Sequence, residues 1–203
     1  MADEHPPLHH AERGMRATRI LAIRRLLIDK GVITAAEVDD IVERARERTP
    51  ADGAKVVARA WVDDAYKARL LTDARGAVAE LGYRLSHDAE LAVVENTAEV
   101  HHLVVCTLCS CYPTSLLGPP PDWYKSFAYR QRAVVEPRAV LREFGLELAE
   151  DIRVAVVDST ADVRYLVLPR RPSGTQDMAE DALAELVTRD SMIGVAEPRP
   201  ATP

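Results

Sequence analysis

Three cysteines carry the most distinctive chemistry in this sequence. Cys106, Cys109 and Cys111 are its only cysteines, and they lie in the segment Val104-Val105-Cys106-Thr107-Leu108-Cys109-Ser110-Cys111-Tyr112-Pro113. Thiols this crowded form no disulfide framework, and they point to a reducing, cytoplasmic compartment. They suit a soft or borderline metal. A structural zinc site wants four ligands, usually in two separated pairs. Here the fourth would have to be His101 or His102, which a regular strand turns to opposite faces. The Cys109–Cys111 spacing admits a second geometry. If both sulfurs bind one metal in a plane, the backbone nitrogens of Ser110 and Cys111 lie between them. One six-membered and two five-membered chelate rings then close. With both amides deprotonated, that anionic set suits a trivalent ion. Cys106 can add an axial sulfur, which leaves the sixth position to water or substrate. On spacing alone, a zinc module, a redox thiol cluster and a trivalent metal centre all remain open.

The elements that must position these residues can be read around them. His101–Val105 reads as a β-strand that ends directly on Cys106, and Leu91–Val94 reads as another. Ile152–Val157 and Val163–Leu168 are two further β-rich runs, separated by the polar turn Asp158-Ser159-Thr160-Ala161-Asp162. Upstream, Ile20, Ile23, Leu26 and Leu27 recur at helical spacing within Glu12–Lys30, and Gly31 stops that helix. Thr34 with Glu37 forms a capping box ahead of Val38, Ile41, Val42 and Ala45, and Thr49-Pro50 breaks the second helix. Lys55–Leu81 is helical, with Asp63 and Asp73 as N-caps, Gly82 as the stop, and Trp61, Tyr66, Leu70 and Leu71 as the buried face. Tyr112–Trp123 reads as a proline-rich loop, Pro137–Phe144 as a short helix with proline in its first turn, and Met178–Val187 as a last helix. The predicted fold is α+β. A disordered tail (1–11, with His5, His9 and His10) precedes a helical N-terminal arm (12–50). A layered α-β-β-α domain (51–203) follows and carries the cysteine loop.

Composition narrows the function classes. The 203 residues allow one or two domains, and 47% apolar content excludes global disorder. A net charge of −6 argues against a generic nucleic-acid binder. No apolar run approaches the roughly 18–20 residues of a membrane span. The opening Met-Ala-Asp-Glu-His-Pro-Pro is too acidic and polar for a signal peptide.

The run Cys-Thr-Leu-Cys-Ser-Cys-Tyr-Pro resembles the metal-binding loop of nitrile hydratase α subunits. It is closest to the cobalt type, in which threonine follows the first cysteine; iron-type relatives usually carry serine there. The likeness extends through VENTAEVHHLVVCTLCSC, LGPPPDWYKSFAYRQRAVVEPRAVLREFG, VVDSTADVRYLVLPRRPSGT and LVTRDSMIGV, so it runs from about Ala54 to Val195. The resemblance implies one low-spin, non-corrin Co(III) per subunit, with Fe(III) the less favoured ion. Its ligands would be the sulfurs of Cys106, Cys109 and Cys111 and the amide nitrogens of Ser110 and Cys111. It also implies oxidation of Cys109 to a sulfinic acid and of Cys111 to a sulfenic acid, successive steps of thiol oxidation. The implied reaction adds water to a nitrile carbon, giving the amide, with the metal as Lewis acid or as holder of an activated water.

By the same resemblance, Ser110 and Cys111 stand nearest the substrate. His101, His102, Glu95, Asp158 and Arg164 are candidates for hydrogen bonds around the centre, and Tyr112, Thr114 and Trp123 for pocket wall. The implied partners are one or two β-type subunit chains, a cobalt-loading activator protein and a small-molecule nitrile, with no nucleic acid and no membrane. The metal-bearing subunit of thiocyanate hydrolase shares the loop and is the close alternative. One departure stands out. Most cobalt-type sequences follow Cys-Tyr-Pro with Trp-Pro, whereas Thr114-Ser115 follows here. Loss of an aromatic side chain that buries roughly 150–250 Å² predicts a wider, more polar pocket, suited to a bulky heteroaromatic nitrile of nucleoside type.

Overall fold

The computed structural model describes residues 8–85 and 89–200. The chain divides into two compact units, residues 1–44 and 45–203. The break falls ahead of the Thr49-Pro50 pair that the sequence suggested. The expected tail lies outside the described residues as far as residue 7; from Leu8 onward the chain is helical.

The first unit contains α1 (Leu8–Asp29) and most of α2 (Ala35–Glu47). Gly31 makes the turn between them at φ 67°, a conformation that disfavours any side chain. The capping box forms as read. The Glu37 carboxylate accepts from the Thr34 amide at 2.7 Å, and Thr34 Oγ1 accepts from the Glu37 amide at 3.2 Å. An Arg24–Asp39 ion pair at 2.7 Å ties the two helices. Ile20, Ile23, Leu26 and Ile41 are each more than half exposed.

The second unit opens with three helices, α3 (Pro50–Val62), α4 (Asp64–Thr72) and α5 (Ala74–Glu80), divided at the two aspartates that the sequence marks as N-caps. The two aspartates cause the breaks. Asp63 accepts from the Tyr66 amide at 2.8 Å and Asp73 from the Gly76 amide at 2.9 Å, so each caps a new helix. Tyr66 and Leu70 are buried as expected, whereas Leu71 turns outward. Trp61 is half-buried and donates its indole N–H to the Pro169 carbonyl at 2.8 Å.

Strands β1 (Glu90–Glu95), β2 (Val100–Val105), β3 (Arg153–Asp158) and β4 (Val163–Leu168) form two parallel pairs, β1 with β4 and β2 with β3. Although β3 and β4 are neighbours in sequence, they belong to different sheets. Ser159, in the turn between them, donates its amide to the Val105 carbonyl at 2.7 Å, across to the end of β2. The registers align Val105 with Asp158 and Leu91 with Arg164. Parallel pairs need cover on both faces. Helices α4 and α5 pack on β1, while α8 (Phe127–Val135) and α9 (Pro137–Glu143) pack on β2 and β3, with β2 against β4 between. This is the layered α+β arrangement expected.

Tyr112–Trp123 is more ordered than the loop its prolines suggested. It holds α6 (Thr114–Leu117) and the start of α7 (Asp122–Lys125). Helix α8 escaped the sequence reading because Phe127, Val134 and Val135 are exposed, which blurs any apolar stripe. The last helices are α10 (Glu180–Leu186) and α11 (Arg189–Ile193). Gly194 ends α11 at φ 90° hard against β2, where any side chain would collide with the His102 carbonyl. Among the described residues no helix is long and apolar enough to cross a membrane.

Candidate metal centre

β2 hands Cys106 directly to the loop, and the loop is then gripped from two sides. At the end of β3, Asp158 accepts from the Thr107 amide at 2.9 Å and from the Thr107 hydroxyl at 2.6 Å. From the other side, side chains of α7 and α8 donate to main-chain carbonyls. Tyr129 Oη reaches Val104 O at 2.6 Å, Arg130 Nη1 reaches Cys109 O at 2.9 Å, and Tyr124 Oη reaches Cys111 O at 2.8 Å. Tyr124 and Tyr129 keep their places inside an aromatic cluster with Trp123 and Phe144.

These contacts gather the three sulfurs. Cys106 Sγ lies 3.6 Å from Cys109 Sγ, which lies 3.1 Å from Cys111 Sγ. All three fall within 4.8 Å of one another, the one such group of potential metal donors among the described residues. The Cys109 amide donates to Cys106 Sγ at 3.3 Å, and the dipoles of the Ser110 and Cys111 amides act on the Cys109 thiol. The Cys111 thiol and these amides hold the Cys109 thiol below its ordinary range. Burial, then the neighbouring thiols, push Cys111 up to about 12, against the pull of the Arg164 charge. Thiols this close resist shared ionisation unless a cation sits among them. Three sulfurs and two amide nitrogens converging from one loop fit the five-donor set that the family resemblance implies. Cys106 is buried, Cys111 intermediate and Cys109 exposed, and Leu108 at the tip is 80% exposed.

The other expected site residues divide into those near the loop and those occupied elsewhere. His101 is buried. Its Nε2 meets the Gly194 carbonyl at 2.7 Å and must carry the proton, so Nδ1 accepts from Asn96 Nδ2 at 3.1 Å. Asn96 Oδ1 in turn accepts from the His102 amide at 2.7 Å and from His102 Nδ1 at 3.3 Å. Burial lowers the pKa of both histidines. Neither joins the sulfur group, so the histidine-completed zinc site is not what this loop builds. Glu95 pairs with Lys67.

Arg164 donates to the Thr160 carbonyl and lines a cavity of about 170 Å³ with Tyr112, Thr114, Ser115, Leu85 and Leu91. Tyr112 and Thr114 therefore share a wall beside the loop. Trp123 does not line that cavity; it packs edge-on against Tyr129 and Phe144 at 4.8 and 4.7 Å between ring centroids. Sequence reasoning missed Tyr124, Tyr129 and Arg130. The one available signal was Ser126, which caps α8 by accepting from the Tyr129 amide at 3.1 Å.

A buried strand end that presents a braced, sulfur-lined loop defines a metal-binding α+β protein. Its family is shown by comparison with known proteins. The family model "Nitrile hydratase, alpha chain" matches residues 15–196. The low-molecular-weight cobalt-containing nitrile hydratase subunit alpha of Rhodococcus rhodochrous is 51% identical over 183 residues, covering 90% of this chain and 88% of that one. Thiocyanate hydrolase subunit gamma of Thiobacillus thioparus is 41% identical over 191 residues, covering 89% and 79%. Among solved structures, a double mutant of the Fe-type nitrile hydratase from Comamonas testosteroni Ni1 superposes with a TM-score of 0.85 at 41% identity, covering 94% of this chain and 95% of that one. The chain belongs to the nitrile hydratase alpha-chain family.

Proposed function

We propose that this chain is the metal-bearing α subunit of a cobalt nitrile hydratase, converting R–C≡N and H₂O to R–C(=O)NH₂. The observation that carries the reading is the convergence of three sulfurs and two main-chain amides at 106–111, in a loop with threonine at position 107. The similarity to cobalt-containing nitrile hydratase α subunits supports cobalt as the ion. Cys106, Cys109 and Cys111, with the nitrogens of Ser110 and Cys111, would hold it. When bound, the ion supplies Lewis acidity that draws electron density from a nitrile or acidifies a water. Around it, Asp158 fixes Thr107, Tyr124 fixes the Cys111 carbonyl, and Arg164 brings positive charge to the Cys111 side of the loop.

Dioxygen oxidises Cys109 to a sulfinic acid (RSH + O₂ → RSO₂H) and Cys111 to a sulfenic acid (2 RSH + O₂ → 2 RSOH), and their anionic oxygens then need cationic donors. Cys109 and Leu108 face outward, so those donors come from a β-type subunit of one chain or two, seated over the loop. An activator protein loads the cobalt. The substrate is a bulky heteroaromatic nitrile such as toyocamycin, accommodated because Thr114, not tryptophan, stands at the rim of the cavity beside the loop. A second reading, hydrolysis of thiocyanate, draws on the 41% identical thiocyanate hydrolase subunit.

The test is mass spectrometry and metal analysis of the chain purified with its β-type partner, alongside assays with toyocamycin and thiocyanate. One cobalt per chain, two added oxygens on Cys109, one on Cys111 and amide formation from toyocamycin are expected. Unmodified cysteines with bound zinc in an active preparation would end the proposal, and thiocyanate turnover alone would move it to the second reading.

A further inference from the structure

We propose that Arg130 is a positioning residue of the metal centre: it orients the Cys109–Ser110 peptide so that its nitrogen faces the sulfurs. This deepens the cobalt reading above and rests on it. Arg130 Nη1 donates to the Cys109 carbonyl at 2.9 Å and reaches the Thr107 carbonyl at 3.5 Å. The Cys109 carbonyl and the Ser110 nitrogen belong to one planar trans peptide, in which C=O and N–H point opposite ways. Pinning the oxygen to the guanidinium therefore turns the Ser110 nitrogen to the opposite side of the peptide, away from Arg130.

The guanidinium is itself well held. Its carbon lies 6.0 Å from the Phe127 ring centroid, within cation–π range. The turn of α8 that bears it is fixed to the end of β2 through the 2.6 Å bond from Tyr129 Oη to Val104 O. Both carbonyls are reached by the one nitrogen Nη1, a contact that a lysine ammonium can make in part.

Charge works in the same direction as geometry. An amide nitrogen that ligates a cation as an anion shares its negative charge with the carbonyl oxygen of the same peptide. At this peptide that oxygen is the atom Arg130 holds, so the positive charge opposes the build-up of negative charge where it would fall. Tyr124 grips the Cys111 carbonyl, which belongs to the next peptide beyond the donor set, so its role there is confined to holding the loop.

The experiment produces the full-length chain together with its β-type partner and activator protein, in aerated medium with or without cobalt(II) chloride, and reads cobalt retained after gel filtration, the sulfur-to-cobalt absorption, and melting of the metal-free protein. Arg130→Gln should weaken cobalt retention by about 10–100-fold, the range for partners of metal ligands. The absorption of the cobalt it still binds should shift, as one amide donor is lost. Arg130→Lys should recover part of both. Arg132→Gln removes the same charge from the same helix, but its partners are Glu136 and Glu143, so it should load as wild type.

Wild-type retention and an unshifted band in Arg130→Gln would overturn the inference, as would an equal loss in Arg132→Gln. If Arg130→Gln melts early, the lysine variant decides: recovered retention with an unshifted band supports the role, and loss equal to that of glutamine overturns it. Failure of the wild type to retain cobalt removes the metal reading itself and takes this inference with it; that outcome is distinguishable because it appears before any substitution.

Discussion

Residues 106–113 and the helices of residues 8–44 both present side chains to solvent, and they differ in what holds them. The loop is tied at Thr107, Cys109 and Cys111 by Asp158, Arg130 and Tyr124, each through a main-chain atom, and its sulfurs converge. The helical pair has a capping box and the Arg24–Asp39 and Arg25–Asp29 ion pairs, and it leaves Ile20, Ile23, Leu26 and Ile41 exposed. Fully burying one such side chain is worth roughly 1.5–3 kcal/mol. The difference separates a segment braced by the rest of its unit from one whose apolar residues stay exposed. The donor set is assembled by the chain's own strands and helices. Burying the exposed face of the helical pair would add stabilisation of that order per side chain.

The sharpest way to break that comparison is to remove a sulfur. Cys109→Ala takes away the atom that contacts both other sulfurs. Bound cobalt should fall to near zero and amide formation by the partnered enzyme to background, read by metal analysis and product yield. Retained cobalt would mean that the loop is not the centre.

The second prediction strikes the helices. Ile23→Asp with Leu26→Asp changes exposed positions, so the stability of the chain alone should move by no more than about 0.5 kcal/mol per site. Affinity for the β-type partner should drop roughly ten- to a hundredfold in a titration, as expected of buried interface anchors. Unchanged affinity would show that this face is not where the partner sits.

A smaller effect tests the cavity beside the loop. Thr114 lines it with Tyr112 and Arg164. Thr114→Trp in the partnered enzyme should lower kcat/KM for bulky heteroaromatic nitriles about tenfold relative to small aliphatic ones. An unchanged ratio would remove Thr114 from substrate choice.

The smallest effect is in pH. Burial lowers the pKa of His101 from its ordinary 6.5, so the unfolded chain takes up this proton first as pH falls. The stability tied to neutral His101 is full above pH 6.5 and is lost as pH drops from there towards the folded value. Melting temperature should decline over that interval, and His101→Gln should flatten the decline. An equal slope in both proteins would assign the effect to other groups.

Much of the fold was legible because it is written in local chemistry. Thr34 and Glu37 define a cap by their spacing, Asp63 and Asp73 carry their acceptors to the next helix's amides, and the strand running into Cys106 shows its apolar content. The cysteine loop was legible for a similar reason, since chelate rings are counted along the backbone. Helix α8 was not, because its exposed Phe127, Val134 and Val135 mask its periodicity.

Other features belong to contacts far apart in the chain, which no spacing reveals. Parallel pairing sends β3 and β4 to different sheets, and the resulting register sets Asp158 beside Val105, within reach of Thr107. His101 and His102 are adjacent in sequence and read alike. Only the tertiary structure commits His101 to Gly194 and ties both to Asn96. Trp123 reads as pocket wall, and packing decides which wall: it joins an aromatic cluster and lines a cavity with Pro121, Thr188 and Arg189, apart from the one Thr114 lines, while Arg130 reads as one arginine among many until α8 brings it to the Cys109 carbonyl. The sequence alone determined which atoms could bind a metal, because a short loop limits how far apart its donors can be. Which groups brace that loop was decided by packing, because hydrogen bonds depend on distance in space and on the order in which parallel strands lie.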